Sequence, residues 1–352
     1  AWAAVFVLKR RTVEEWAQKQ YCNLGLAIQR VTEEIVQKMA EEAKRITGIH
    51  NLCMAGGVAL NCVANGKLLS RNIFKHIFIQ PAAGDAGGAL GAAQAAYYIY
   101  FGKERVVGTE QDAMQGAYLG PEFSDIDIEL DLKKYNAVST RYNDFNKLSE
   151  NVADIINDGK VVGWFQGRME FGPRALGSRS ILASPIDAAM QARLNEVKDR
   201  EDFRPVAPVV LEEDASAWFE DADYSPFMLF VYKVKPEKIS RIPAVTHVDC
   251  TARIQTVNKQ QHPVYYNMLQ EFKKLTGVPV LINTSFNTLG KPIVCTPRDA
   301  VQCFWTSPFN TLVIGSFIIN KQNGEKNIGD HSYLQTAGVI DGVPESIVQT
   351  EL

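Results

Sequence analysis

The chain of 352 residues lacks the features that mark membrane proteins, secreted proteins and general nucleic-acid binders. No apolar run approaches the roughly 20 residues of a membrane span, and the opening AWAAVFVLKRR carries its charges after the apolar part, unlike a signal peptide. The six cysteines show no CxxC spacing and are too sparse for a disulfide scaffold, which favours a reducing, cytoplasmic setting. A net charge of −3 argues against broad attraction to nucleic acid or to an anionic membrane.

The length and composition predict a globular protein of two domains. Hydrophobic residues make up 46% and charged residues 22% of the chain, which is ordinary for such proteins. A length of 352 residues exceeds what one hydrophobic core usually organises. Periodicity is weak and acidic residues collect between positions 108 and 141, so we predict domains at 1–140 and 141–322, followed by a polar tail at 323–352.

The most informative stretch is residues 163–183, GWFQGRMEFGPRALGSRSILA, where a glycine-rich segment lies between two strand-like apolar runs. It carries three arginines: Arg168, Arg174 and Arg179. Planar guanidinium groups and exposed backbone N–H groups together suit a phosphate or a carboxylate. The arginines also fit a structural ion network with Glu170, Asp199 and Glu201. The number of glycines favours an anion site over such a network.

Two consecutive strand–glycine–helix units precede this stretch. In the first, a strand at 52–54 runs into Gly56 and Gly57, and a helix at 58–69 has Asn61 one turn inside. In the second, a strand at 76–80 leads to a helix that starts near Asp85. Such units bring backbone close to a phosphate at a helix N-terminus, although paired glycines also simply let a helix pack tightly on a sheet. Asp85 fits either a helix N-cap or a ligand for a metal or for nucleotide-bound magnesium.

Further cations and polar side chains follow the central stretch. The end of a helix at 187–197 delivers Lys198, Arg200 and Arg204. They form either a second anion-binding set or a solvated helix end neutralised by Asp199, Glu201 and Asp202. Threonine-rich strands at 243–257 present His247 and Arg253, and a strand at 278–282 ends in Asn283, Ser285 and Asn287. These groups suit hydrogen bonds to a base, a ribose or a phosphate, but a structural histidine and ordinary turns explain them equally well.

Taken together, the motifs resemble those of the O-carbamoyltransferases of the nodulation-protein type, a family that includes the cephem, novobiocin and tobramycin carbamoyltransferases. The resemblance covers nearly all of residues 51–321 and rests on these segments: AGGVALN, GDAGGALGAA, GRMEFGPRALGSRSILA, KDREDFRPVAP, THVDCTARIQTV, VPVLINTSFN and GKPIVCTPRDA. It implies an α/β protein in which part of an actin-like ATPase domain (ASKHA type, like the threonylcarbamoyl-transferring enzymes) precedes a YrdC-like α/β domain.

The resemblance also implies a chemistry. The YrdC-like half would use ATP and the co-substrate carbamoyl phosphate to make carbamoyl-adenylate, and the other half would pass the carbamoyl group to a hydroxyl of a small-molecule acceptor beside a divalent metal, iron or magnesium. The implied phosphate-neutralising residues are Arg168, Arg174, Arg179, Lys198, Arg200 and Arg204. The implied nucleotide and carbamate contacts are His247, Arg253, Asn283, Ser285 and Asn287. The implied remains of the transfer cleft are Gly56, Gly57, Asn61 and the metal ligand Asp85.

One departure from the family pattern concerns the metal. The family holds it with an HxxxH pair, whereas the histidines of this chain lie at positions 50, 76, 247, 262 and 331. The helix that opens at Thr12 matches the later half of the N-terminal domain, so we expect the cut end of a longer chain. Such a fragment would form the adenylate but fail in the transfer step, and its exposed apolar surface would allow an oligomer. Two other hypotheses are an enzyme of tRNA threonylcarbamoylation and a nucleotide-binding protein without turnover.

Overall fold

The computed structural model describes residues 19–106, 112–288 and 290–321. The predicted cap at Thr12 and the predicted tail at 323–352 lie outside these residues. Within them, helices alternate with strands that form a two-stranded parallel sheet, an eight-stranded mixed sheet and a two-stranded antiparallel sheet, which confirms the α/β class. None of the described helices combines the length and apolar character that a bilayer crossing demands.

The first part of the described chain contains a two-stranded parallel sheet and three helices. Its elements are α1 (Lys19–Thr47), β1 (Asn51–Met54), α2 (Cys62–Ser70), β2 (His76–Ile79) and α3 (Asp85–Ala95), which continues into a π-helical turn at Ala96–Tyr100. β1 and β2 pair in register from Asn51 opposite His76 to Met54 opposite Ile79. A small core forms where Ala40 of α1 meets Leu68 of α2 and Phe74. Both predicted strand–glycine–helix units are therefore present.

The helix predicted at 58–69 differs in its start. A 3-10 turn at Gly57–Leu60 comes first, and Asn61 is then the N-cap of α2, with its Oδ1 accepting from the N–H of Ala64 at 3.1 Å. Asn61 thus lies immediately before the helix and not one turn inside it. Its side chain supplies the hydrogen-bond acceptor that the first backbone N–H groups of a helix lack. Asp85 is the first helical residue of α3, and Gly84 holds the N-cap position.

The second part is built on an eight-stranded mixed sheet. Its elements begin with α4 (Asp125–Lys134), β3 (Ser139–Arg141), α5 (Phe145–Asn157), β4 (Val162–Phe165), β5 (Arg179–Ala183), α6 (Met190–Val197) and β6 (Ala207–Leu211). They continue with α7 (Ala215–Trp218), β7 (Tyr232–Lys233), β8 (Thr251–Ala252), β9 (Gln255–Val257), α8 (Pro263–Thr276), β10 (Val280–Ser285), α9 (Pro297–Thr306), β11 (Thr311–Ile314) and β12 (Phe317–Asn320). The strand order is β3-β12-β11-β4-β5-β10-β6-β9, and β7 pairs with β8 separately.

Burial explains which strands occupy the middle of this sheet. Every residue of β4, β5, β6 and β11 is buried, so these strands are covered on both faces. The pairs β11–β4 and β6–β9 are parallel, whereas β4–β5, β5–β10 and β10–β6 are antiparallel. β4 and β5 flank the arginine-rich segment, so the sheet fixes both of its ends.

Several predicted boundaries shift. β10 continues to Ser285, so Asn283 and Ser285 are strand residues and the turn interpretation is wrong for them. Arg179 opens β5 and does not lie in a loop. β11 and β12 form a hairpin, which turns at Gly315 with a φ of 52°.

The stretch predicted to be a weakly periodic junction contains helix α4. A capping box of Ser124 and Asp127 starts this helix, and Ile128 and Leu132 lie in the core of the large sheet. The packing of the second part therefore begins before residue 141. The domain bounds at 1–140 and 141–322 stay a prediction.

Candidate anion site

The segment between β4 and β5 is folded around one buried carboxylate. We call residues 170–178 the arginine loop. Glu170 is 6% exposed, and its Oε1 accepts hydrogen bonds from the backbone N–H groups of Leu176 at 2.7 Å, Ser178 at 2.7 Å and Arg179 at 3.2 Å. Burial raises the pKa of Glu170, while these N–H donors act in the opposite direction. The carboxylate thus ties the end of the loop back to its beginning.

Three consecutive carbonyls of the arginine loop are held by side chains from other elements. The donors are Asn283 Nδ2 to Ala175 at 3.2 Å, Tyr118 Oη and Gln255 Nε2 to Leu176 at 2.8 and 2.7 Å, and Trp164 Nε1 to Gly177 at 2.7 Å. Buried backbone groups satisfied in this way are costly to displace. The loop is therefore a rigid support for the side chain that it carries, Arg174.

An aromatic and imidazole layer lies beneath the loop. Gly177 adopts a φ of 108° against the ring of Tyr265, and Ser178 Oγ lies 3.2 Å from His262 Nε2. Burial lowers the pKa of His262 to about 4, so the imidazole is neutral near pH 7. His262 Nδ1 accepts from the N–H of Tyr265, which leaves the proton on Nε2 to be donated to Ser178.

Arg174 is half-buried, and its Nε is buried without a hydrogen-bond partner among the described residues. Burial, and next the neighbouring Arg253, lower the pKa of Arg174 to about 10. In the part of the chain that the structure describes, no carboxylate forms an ion pair with it. Glu170 instead binds backbone N–H groups and Glu201 pairs with Arg204 at 2.5 Å, so the predicted ion network does not form at Arg174.

The other two arginines of the central stretch have different environments. Arg168 is exposed, lies 3.6 Å from Glu122 and donates to the carbonyl of Gly120. Arg179 is fully buried over the ring of Phe165 at 3.5 Å. Its guanidinium donates to the carbonyls of Gln166, Gly167, Ser178 and Pro121 at 3.1 to 3.2 Å. The contacts of Arg168 and Arg179 therefore differ from those of Arg174, and the shared phosphate role of the three arginines stays a prediction.

Lys198 contacts two other predicted site residues, Ser285 and Asn287. Its Nζ lies 2.6 Å from Ser285 O, 3.1 Å from Ser285 Oγ, 3.1 Å from Asn287 O and 2.7 Å from Asn287 Oδ1. Burial, followed by the charge of Arg200, lowers the pKa of Lys198 to about 7. An amine with this pKa exchanges its proton near neutral pH, and its charge responds to a bound anion.

Arg200 and Arg253 complete a group that we call the cationic cluster: Arg174, Lys198, Arg200 and Arg253. Burial lowers the pKa of Arg200, and nearby Arg204 and Arg253 lower it further. The charge of Arg253 thus lowers the pKa of both Arg174 and Arg200. Arg200 Nη2 and Arg253 Nε are buried without partners among the described residues, as is Arg174 Nε. Unpaired buried donors of like charge are costly unless an anion accepts from them.

Two predicted residues lie beside the cluster. Arg204 is exposed and pairs with Glu201, as a solvated helix end would. His247 is partly buried, and its Nδ1 is 3.5 Å from Thr251 Oγ1. Burial lowers the pKa of His247, Asp249 acts against this, and Arg253 adds to it. The charge of Arg253 therefore acts on His247, and the nucleotide-contact role of both residues stays a prediction.

The glycine units lie next to the arginine loop. Gly56 has a φ of 99° and donates to Ala83 O at 2.7 Å, and exposed Gly57 opens the 3-10 turn. A Cβ on Gly172 would lie 3.1 Å from Pro81 O, so the second unit touches the loop. Asn61 pairs its amide with that of Gln29 on α1.

Asp85 is exposed, and the described residues contain no cluster of three His, Cys, Asp or Glu side chains that would hold a metal ion. The residues present therefore do not fit the divalent metal that the resemblance implies.

Sequence reasoning missed the residues that support the loop. The residue types indicate Glu170 only as an ion partner, and they give no sign of the support that comes from Tyr118, Trp164, Gln255 and His262. A single carboxylate inside a glycine-rich segment was the available signal for Glu170. The other side chains lie far away in the sequence, and no local pattern connects them to the loop.

The fold and the candidate site describe a mixed α/β protein with a partly buried group of cationic side chains. Two family models match the chain: "Carbamoyltransferase C-terminus" over residues 153–321 and "Carbamoyltransferase N-terminus" over residues 3–94. The chain belongs to the carbamoyltransferase family, which confirms the resemblance inferred from its motifs.

Proteins with similar sequences include two nodulation proteins. The chain is 46% identical to an uncharacterized protein of Synechocystis sp. over 91% of its own length and 55% of that protein. It is 45% identical to the nodulation protein NolNO of Sinorhizobium fredii, covering 86% of this chain and 45% of that one. It is 42% identical to the nodulation protein NolO of Bradyrhizobium diazoefficiens, covering 86% and 55%. The chain spans about half the length of these relatives.

Solved structures give weaker matches. Full-length HypF in its phosphate- and nucleotide-bound form matches with a TM-score of 0.34 and 18% identity, over 47% of this chain and 21% of that one. P. abyssi Sua5 complexed with L-threonine matches with a TM-score of 0.38 and 15% identity, over 49% and 47%. Scores at this level carry no argument about the function of the chain.

Proposed function

We propose that the chain is part of an O-carbamoyltransferase that binds ATP and carbamoyl phosphate at the cationic cluster and forms carbamoyl-adenylate. The observation that carries the proposal is that Arg174 Nε, Arg200 Nη2 and Arg253 Nε are all buried donors without a partner among the described residues. Family membership and the resemblance to natural-product carbamoyltransferases support it. A hydroxyl of a small-molecule acceptor would finally receive the carbamoyl group.

Carbamoyl-adenylate would form in two steps. Water cleaves carbamoyl phosphate to carbamate and phosphate, and a carbamate oxygen then attacks the α-phosphorus of ATP, from which pyrophosphate leaves. Both steps place negative charge on phosphate oxygens, so prepositioned guanidinium and ammonium groups lower their barriers. Arg174 is held by the rigid arginine loop, and Lys198 is held by Ser285 and Asn287, so both cations are in place before the substrates bind.

The test is carbamoyl-phosphate-dependent release of pyrophosphate from ATP by the full chain. Arg174→Ala is expected to lower the rate by roughly 100-fold or more, the usual cost of one electrostatic stabiliser. Arg71→Ala is the matched control, because it also removes one arginine charge but comes from an exposed pair with Glu41. Release that does not depend on Arg174 would contradict the proposal. Binding of ATP without any release would favour a nucleotide-binding protein without turnover.

A further inference from the structure

The buried side chain of Asn195 holds the segment of chain that follows α6. Asn195 lies in the last turn of this helix and is fully buried. Its Nδ2 donates to the carbonyls of Asp202 at 2.9 Å and Arg204 at 3.0 Å, and its backbone carbonyl accepts from the N–H of Arg200 at 3.0 Å. The chain turns back toward Asn195 at Asp199, whose φ of 47° is left-handed. Asn195 therefore fixes the path of the backbone that carries Arg200.

The orientation of the Asn195 amide follows from the chemistry of its partners. Backbone carbonyls can only accept, so the atom that faces Asp202 O and Arg204 O is Nδ2. Oδ1 therefore faces the other side, where it accepts from Nε of Arg200 at 2.6 Å. A guanidinium N–H can only donate, so this contact requires the same orientation. Asn195 thus presents a fixed acceptor to Arg200.

This contact fixes the guanidinium group of Arg200. Because the group is planar, a partner at Nε also sets the plane in which the other two nitrogens lie. Nε is held by Asn195, whereas Nη2 of the same guanidinium is buried without a partner among the described residues. Nη2 is the atom of Arg200 that the proposed function assigns to an anion. An arginine that is already held loses less side-chain entropy when it binds an anion, so it binds more tightly.

We infer that Asn195 is a positioning residue, which holds Arg200 in the orientation that binds the phosphate groups of the substrates. The inference rests on the proposed function and adds to it a residue that acts only through Arg200, since both ends of the Asn195 amide are already bound to the protein. Residues in one hydrogen-bond network are coupled in energy, so we expect Asn195→Ala to weaken anion binding roughly 10-fold.

The test is a double-mutant cycle on the full chain, measured by titration calorimetry with inorganic pyrophosphate. Asn195→Ala is made alone and in the Arg200→Ala background. If Asn195 acts through Arg200, its replacement weakens binding roughly 10-fold alone but by less than about 2-fold once the Arg200 side chain is absent. A merely structural role, in which Asn195 only holds the two carbonyls, would weaken binding equally in both backgrounds.

Two further variants separate the contact with Arg200 from the folding of the segment. Gln191→Ala is the matched control, since Gln191 Nε2 also donates to Arg204 O, at 3.1 Å, but makes no hydrogen bond to Arg200 among the described residues. It should leave the affinity within about 2-fold. Arg200→Lys keeps the charge but lacks Nε, so it removes the contact and leaves the carbonyl bonds of Asn195 in place. It should weaken binding about as much as Asn195→Ala, and it tests the inference even if Asn195→Ala does not fold.

The outcomes separate this inference from the proposed function. If Arg174→Ala and Arg200→Ala weaken pyrophosphate binding but Asn195→Ala does not, or weakens it equally in both backgrounds, the inference is overturned and the proposed function stands. The inference is likewise overturned if Arg200→Lys binds as tightly as the wild type, or if Gln191→Ala loses as much affinity as Asn195→Ala. If pyrophosphate does not bind, or if neither arginine affects its binding, the anion site itself is wrong and both fail.

Discussion

Replacing Gly177 by alanine is expected to destabilise the protein severely through a single added methyl group. The new Cβ would lie 2.3 Å from Cδ1 and 2.4 Å from Cε1 of Tyr265, distances that real Cβ atoms do not show. Tyr265 is fully buried and cannot move into solvent. The backbone at Gly177 also has a φ of 108°, which L-residues rarely adopt.

The magnitude follows from these contributions. Overpacking a filled core costs roughly 1–3 kcal/mol, and an L-residue at positive φ costs roughly 1–2 kcal/mol. A shift of the backbone that relieved the clash would weaken the hydrogen bond from Trp164 to Gly177 O, which contributes about 1 kcal/mol. The free energy of unfolding should therefore fall by about 3–5 kcal/mol, a large share of the roughly 5–15 kcal/mol typical of a domain.

Urea unfolding of Gly177→Ala, with Gly56→Ala as the matched control, measures this directly. Gly56 has a similar φ of 99°, but no atom lies within 4 Å of its added Cβ, so the control carries only the backbone strain. The difference between the two variants isolates the contact with Tyr265. If Gly177→Ala loses no more stability than Gly56→Ala, the packing argument for the layer beneath the arginine loop is wrong.

Three further predictions concern single side chains. Burial lowers the folded-state pKa of His262 to about 4, so the unfolded chain binds the proton more readily, and the free energy of unfolding should fall by up to about 3 kcal/mol between pH 6.5 and pH 4. His262→Gln should remove this part of the pH profile, and parallel profiles would refute it. Because the pKa of Lys198 is lowered to about 7, its ammonium is lost as the pH rises, so sulfate binding should weaken from pH 6 to pH 8 in the wild type but not in Lys198→Met. Calorimetry that shows the same pH dependence in both would exclude this role. Asn61→Ala removes the cap of α2 and the pair with Gln29, and a loss of roughly 1–2 kcal/mol in urea unfolding is expected. An unchanged stability would contradict the capping role.

The sequence predicted elements whose signals are local. Gly277 ends α8 in the left-handed conformation, and Thr296 caps α9 with Pro297 at its first position, as their residue types indicate. Helix α4 was missed because its acidic residues obscured the periodicity, although its capping box at Ser124 was a usable signal.

The candidate site was predictable as a list of residues but not as an arrangement. Lys198 meets Ser285, which is 87 residues away in the chain, and no local pattern connects the two. Arg179 has the same residue type as Arg174 and lies in the same stretch, yet four carbonyls accept hydrogen bonds from the Nη atoms of fully buried Arg179, whereas Arg174 is half-buried and no carboxylate among the described residues forms an ion pair with it. Tertiary contacts alone make this distinction.

The hydrogen bond between Trp164 and the arginine loop gives the protein an internal optical reporter. Trp164 is fully buried on β4, and its indole N–H is bound to the carbonyl of Gly177, three residues beyond Arg174. Indole emission depends on the hydrogen bond at Nε1 and on nearby charge. An anion bound beside Arg174 would change the charge near the loop and with it the emission of Trp164, so occupancy of the site can be followed in the unlabelled protein.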